Sequence, residues 1–243
     1  MVKLFFWGAR ALYLGPAAGL SPHRNAVPVL CAGVHDTFEV ARDPRRPRAG
    51  YVARRTVLIP ANTLHHLQAG QVLMAFLYVD AQSEDFRRLR TLAAGAREGA
   101  YVAALQRLAA GQPWGEAREA IAGALDLVAP SRPDERVAAA LRRLGQAPAE
   151  PHRLASVAAH VHLSPSRFLH LFKETTGVPF RRYRVWTRMG AAVRALASGV
   201  SLTDAALDAG FSSSAHFSAA FREMFGLAPS RLAQAGLRIE DRT

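Results

Sequence analysis

The residues best suited to chemistry lie in the run HLSPSRFLHLFK (162–173), which carries Ser166, Arg167, His170 and Lys173. On a 3.6-residue period these four share one face, and Phe168, Leu171 and Phe172 share the other. A guanidinium and an imidazole can donate to base edges, a hydroxyl both donates and accepts, and an ammonium neutralises phosphate. Taken alone, such a face is what any solvated helix shows. A second copy argues for more: GFSSSAHFSAAFR (210–222) places Phe217 and Phe221 where the first has Phe168 and Phe172, with Arg222 in the place of Lys173. Each copy is followed by a glycine, Gly177 or Gly226. A repeated helix with an aromatic inner face and a small, polar, basic outer face points to two copies of one DNA-reading unit.

The flanking sequence supplies the frame these helices need. Ser164 is placed to cap the first reading helix, with Pro165 in its first turn. Leu154–Val161 and the tight connection His162-Leu163 precede it, which is a helix-turn-helix pattern. Leu202–Ala209, Gly210-Phe211 and Ser212–Phe225 repeat it 48–49 residues on. His162 stands where the second turn has Gly210, and histidine tolerates left-handed backbone better than branched residues do. Between the units, Phe180, Tyr183, Trp186, Met189, Val193 and Leu196 spell one long amphipathic helix. Such a link sets both reading helices on one side, able to enter major-groove segments roughly 34 Å apart. Ahead of them, Asp134–Leu144 reads as a helix with acids in its first turn and Arg142 and Arg143 in its last.

Residues 134–232 resemble the DNA-binding domain of the AraC/XylS family of bacterial transcription regulators. The carriers are LASVAAHVHLSPSRFLHLFKETTGVPF, the link YRVWTRMGAAVRALASG, and LTDAALDAGFSSSAHFSAAFREMFGLAPSRL. The resemblance implies base reading by Ser166, Arg167 and His170 in the first helix and by Ser214, His216 and Ser218 in the second. It implies phosphate contacts from Lys173, Arg182, Arg184, Arg188 and Arg222. The second helix departs from the family pattern, because Ala215 and Ala219 stand at outward positions where long polar side chains are usual. Ala219 cannot hydrogen-bond a base, so the first helix is expected to carry most of the discrimination.

The N-terminal third reads as short strands, Lys3–Trp7, Ala11–Leu14, Val27–Gly33, Thr37–Val40, Thr56–Ile59 and Val72–Val79, separated by turn signals such as Ser21-Pro22 and Pro60-Ala61-Asn62. Arg42–Arg48 is a basic, proline-rich connection. The spacing of Pro60, Asn62 and His65 resembles the second motif of cupins. His23 falls where the first motif begins, but Asn25 occupies the place of its second histidine and no glutamate follows nearby. A catalytic divalent metal needs three converging imidazoles or two with a carboxylate, and His65 and His66 cannot face the same way on a strand. The expectation is therefore a degenerate, metal-free barrel in which His23 and His65 line an effector pocket or His65 is a turn residue; a metal-bearing barrel enzyme is the alternative. From Glu84 the period turns helical, with two or three helices before Leu127 that either cover the barrel or pack against a second subunit.

Composition limits the classes that remain. Thirty-one Lys+Arg stand against 19 Asp+Glu, a net charge of +12, which suits an anionic partner. The excess is spread along the chain, and only Lys3 and Lys173 are lysines, so part of it reflects an arginine-rich background. Cys31 stands alone, which excludes a disulfide framework or thiolate cluster. Arg10 interrupts the apolar N-terminus too early for a signal peptide, and no apolar run is long enough to span a membrane. Paired carboxylates, an activated nucleophile and a phosphate-cradling glycine loop are all missing from the sequence.

The expectation is an α+β chain. A cupin-like effector-sensing barrel spans 1–82, a helical dimerisation or cover segment 83–130, and an all-α double helix-turn-helix domain 131–243. Such a chain would be a cytoplasmic, nucleoid-associated activator and not an enzyme, binding promoter DNA as a homodimer, contacting RNA polymerase and answering to a small molecule without cofactor or metal; a ligand-independent DNA-binding regulator is, beside the metalloenzyme, the other alternative.

Overall fold

The computed structural model describes residues 2–7, 10–17, 19–42, 50–79, 89, 96–127, 134–176, 178–234 and 237–241. The basic connection from Asp43 to Arg48, the linker 129–133 and most of the helical-period stretch 84–95 lie outside the described residues. The N-terminal part contains β1 (Val2–Trp7), β2 (Arg10–Pro16), β3 (Val29–Gly33), β4 (Phe38–Arg42), β5 (Val52–Arg54), β6 (Thr56–Ile59), β7 (His65–Gln68) and β8 (Leu73–Tyr78). After it come α1 (Ala96–Ala109), α2 (Trp114–Leu125), α3 (Glu135–Gln146), α4 (Leu154–His160), α5 (Pro165–Thr176), α6 (Phe180–Ala197), α7 (Leu202–Asp208), α8 (Ser214–Phe225), α9 (Pro229–Gln234) and β9 (Leu237–Asp241).

The strands form two open sheets among the described residues, which corrects the closed barrel expected from the sequence. One sheet has the order β6-β3-β8-β2-β1-β9 and the other β5-β4-β7. The chain crosses from one sheet to the other at Arg55, between β5 and β6. The free edge of β1, which closure would require, is taken by β9 in parallel pairing from Val2↔Leu237 to Phe6↔Asp241. Covering an edge with a strand satisfies its unpaired backbone groups. Residues 237–241, expected to belong to the helical domain, are thus part of the N-terminal sheet.

The six-stranded sheet is buried on both faces, which explains why β8 and β3 are nearly continuous apolar runs. Alternate residues sort to opposite sides. Phe5, Leu12, Leu14, Leu30 and Leu77 pack under α1 and α2 against Tyr101, Leu105, Trp114 and Ile121. Leu4, Tyr13, Cys31, Phe76 and Tyr78 face the smaller sheet and the helical region, in one continuous core. α1 and α2 therefore cover the outer face of the sheet.

The helical region follows its punctuation. Asp134 accepts from the Arg136 backbone N–H at 3.0 Å, Ser201 from Asp204 at 3.1 Å and Ser213 from His216 at 3.0 Å, each closing a helix N-terminus. Ser164 accepts from the Arg167 N–H at 3.3 Å, ahead of Pro165. The turn residues His162 and Gly210 both adopt the left-handed conformation, at φ 56° and 82°. In the first unit Phe168, Phe172, Phe180 and Tyr183 form an aromatic cluster, with ring centroids 5.1–5.6 Å apart. In the second, Phe211, Phe217, Phe221 and Phe225 do the same at 4.6–5.6 Å. α6 runs between the clusters as the single long link.

Candidate nucleic-acid interface

On α5, the buried face is Phe168, Phe172 and Thr176, while Ser166, Arg167, His170 and Lys173 are exposed. Ser164, Ser166, Arg167 and His170 line one groove with Arg136 of α3 and Glu174. Arg136 is the residue that sequence reasoning missed. Its guanidinium is fixed by two hydrogen bonds to the Asp134 carboxylate, at 3.0 and 2.6 Å, which also holds that carboxyl below its usual range. The signal was the Asp-x-Arg spacing at the start of α3. His170 Nε2 lies 3.8 Å from the Glu174 carboxylate with both side chains well exposed, so water screens the pair.

The corresponding face of α8 is poorer in donors. Ala215, His216 and Ala219 are exposed, and Ser214 and Ser218 half-buried. His216 Nδ1 accepts from the Ser212 hydroxyl at 2.9 Å and its backbone N–H at 3.4 Å, and the ring stands edge-on to Phe211. With Nδ1 accepting, the proton resides on Nε2, leaving that atom as an outward donor.

The five cations expected at phosphates divide into three settings. Lys173 and Arg222 are exposed. Arg184 is half-buried with its guanidinium over the Phe180 ring at 5.8 Å. Arg182 and Arg188 turn inward. Arg182 donates to the Arg24 carbonyl and sits 3.5 Å from the Glu223 carboxylate, and Arg188 donates to the Pro148 and Glu150 carbonyls, each at 3.3 Å. Burial lowers the pKa of both guanidinium groups, which stay charged in any ordinary buffer.

His23 and His65 do come together. They form an isolated antiparallel bridge between the His23 segment and β7, with ring centroids 4.2 Å apart, and are 5% and 1% exposed. Nδ1 of each donates to a nearby carbonyl, Ser21 at 2.8 Å and Thr63 at 2.9 Å. Burial first, then the neighbouring imidazoles, pushes His23 down to about 3; burial likewise pushes His65 down to about 4. His66 points the other way, to Tyr51 and to the Leu20 carbonyl. Among the described residues no group of three or more His, Cys, Asp or Glu side chains is placed to hold a metal ion.

A chain of apolar cavities lies elsewhere, in the seam between the inner sheet face and the helical region. One of about 70 Å³ is bounded by Tyr13, Phe76, Tyr78, Phe221, Phe225 and Leu232. It adjoins a second of about 60 Å³ beside Trp186 and Met189, and a third of about 150 Å³ lined in part by Trp186, Gly190 and Arg194.

Residues 157–235 match the family described as "Helix-turn-helix domain". The regulatory protein PocR of Salmonella typhimurium is 33% identical over 106 residues, 43% of this chain and 35% of PocR. By that match the C-terminal unit carries a helix-turn-helix domain. The chain thus spans about a third of the length of the curated relative it matches. The fold as a whole is similar to that of ToxT from Vibrio cholerae. An apo ToxT structure superposes with a TM-score of 0.62 at 12% identity, covering 94% of this chain and 98% of ToxT. A ToxT structure with bound unsaturated fatty acid gives 0.55 at 13% identity, covering 93% and 95%. At such identities the likeness is one of fold, and it takes in both the helix-turn-helix region and the sheet-rich N-terminal part.

Proposed function

We propose that this protein is a sequence-specific transcription regulator that reads promoter DNA with α5 and α8 and answers to a small molecule held in the seam. The observation that carries the reading is the pair of matched helix-turn-helix units on one linking helix, of which α5 presents Ser166, Arg167 and His170 to solvent. These three, with Arg136, are assigned to base edges and their immediate surroundings; Lys173 and Arg222 are assigned to phosphates. Arg182 and Arg188 are left out of the phosphate set because their guanidinium groups are already engaged inside the molecule. His216 contributes its Nε2 donor, and Ser214 and Ser218 adaptable hydroxyls, so α8 supplies orientation more than discrimination. The proposal extends to a cytoplasmic homodimer that contacts RNA polymerase and activates, and to a binding protein without enzymatic chemistry. The sheet-rich part, 1–82 with β9 added, is then the sensor, and the cupin likeness extends to its first strands without a metal site.

For the effector, the cavities of the seam, with Arg194 in the lining of the largest of these three, suit an amphiphile with an anionic head, and the fatty acid held by ToxT has that chemistry. His23 and His65 become structural partners behind the seam. Genome-wide mapping of bound DNA tests the regulator reading: discrete promoter sites sharing one sequence pattern are expected, and uniform coverage contradicts it. A thermal melt with a cis-unsaturated fatty acid tests the effector: a rise in Tm that Arg194→Ala removes is expected, and an unchanged Tm contradicts it.

A further inference from the structure

The last turn of an α-helix leaves carbonyls without intrahelical partners. In α8, partners for two of them come from a segment about two hundred residues earlier in the chain. The Arg24 backbone N–H donates to the Glu223 carbonyl at 3.2 Å, and Asn25 Nδ2 to the Met224 carbonyl at 2.9 Å. Both the Ser21 N–H and its hydroxyl donate to the Gly226 carbonyl, at 2.8 and 3.0 Å. Arg182, from the linking helix, closes the arrangement through the Arg24 carbonyl and the Glu223 carboxylate. The fit leaves no room for a side chain: a Cβ on Gly226, which has φ 76°, would lie 2.6 Å from His23 Nδ1 and from the Ser21 carbonyl oxygen.

The same segment is tied on its other side to the sensor. His23 and His65 exchange two backbone hydrogen bonds of 3.0 Å, the Asn62 N–H donates to the Asn25 carbonyl at 2.9 Å, and Arg24 donates to the Asn62 carbonyl at 2.7 Å. α5 ends differently, by its own residues: Thr176 Oγ1 donates to the Phe172 carbonyl at 2.7 Å and accepts from the Val178 N–H at 3.1 Å. α5 is finished locally; α8 closes its Arg222 carbonyl locally, with the Gly226 N–H at 2.8 Å, and its next two carbonyls through the N-terminal part.

We infer that Ser21–Asn25 is a positioning clamp, which fixes α8 relative to α5 and so sets the spacing between DNA half-sites that the protein accepts. The inference rests on the DNA-reading role proposed above. Ser21 and Asn25 touch no base; they act through the end of α8, and β7 holds them in place. A rigid pair of reading helices penalises a site whose halves are moved apart, whereas a loosened α8 tolerates it.

The test uses the full chain and the site that it selects from random DNA, with zero, one or two base pairs inserted between the halves. Affinity is read by fluorescence anisotropy and folding by thermal melt. The wild-type protein is expected to lose about tenfold or more on insertion. Asn25→Asp, which sets a carboxylate against the Met224 carbonyl, and the milder Ser21→Ala are expected to shrink that penalty to about threefold or less. Affinity for the isolated half read by α5 stays unchanged in both. A spacing profile parallel to wild type in folded variants overturns the clamp, as does equal loss on the isolated half-site. If the wild-type protein selects no two-part site, the DNA-reading proposal falls first, so the two failures are distinguishable.

Discussion

Arg167 and His170 are the exposed side chains of α5 whose donors fit guanine or other base edges, and their removal belongs to a different class of effect from removal of Lys173. Arg167→Ala and His170→Ala should each cost about 1–3 kcal/mol at one base pair and relax preference there, read by competition with single-base operator variants. Lys173→Ala should weaken all sequences alike and lower the slope of log affinity against log salt by about one. The buried histidines give a prediction of stability with pH. A base held to about 3 or 4 stays neutral in the native protein, while its unfolded form takes up protons below its ordinary 6.5. The contribution of His23 and His65 is therefore whole above about pH 6.5 and declines as the pH falls, by up to about 1.4 kcal/mol per pH unit for each. Urea unfolding between pH 7 and 4.5 reads the slope, and replacing both with asparagine should flatten it. That Ser166, Arg167 and His170 share the exposed face of α5 was legible from spacing. The inward turn of Arg182 and Arg188 was not, because their carbonyl partners at Arg24, Pro148 and Glu150 are far away in sequence.

Among elements, helices were more legible than strands for a physical reason. Caps and 3.6-residue stripes are local, so α5 with Ser164-Pro165 and α8 with Ser213 and Gly226 announce their own ends. β7 and β9 are mostly polar or charged, HHLQ and LRIED, and exist because a partner strand is offered. The closed barrel failed on that account: β9 takes the edge that closure needs, and nothing near β1 in sequence foretells it. The turn at His162 tests the local rule. Left-handed backbone costs a residue with a Cβ about 1–2 kcal/mol. His162→Gly should therefore leave the helical domain as stable or slightly more so, and His162→Val should destabilise it, by urea midpoint. Phe168→Ala and Phe217→Ala empty fully buried positions in the two matching clusters. Each should cost about 3–5 kcal/mol, similar in size for the two units.

For the whole molecule, the sheet, the clamp at Ser21–Asn25 and the returning strand β9 make the sheet-rich part and the second helix-turn-helix unit one packed body. Ending the chain before Leu237 removes the β1–β9 ladder and should lower Tm and loosen the seam, seen as faster hydrogen exchange in β1 and α6. Two equal-looking helices are expected to read DNA unequally. Selection of bound sites from random DNA by the full chain and by Arg167→Ala tests this most directly. The predicted result is a two-part site with halves about one helical turn apart, its information concentrated in the half under α5, where Arg167→Ala flattens the pattern and leaves the other half intact. A site with information confined to the half under α8, or a pattern unchanged by Arg167→Ala, would contradict it.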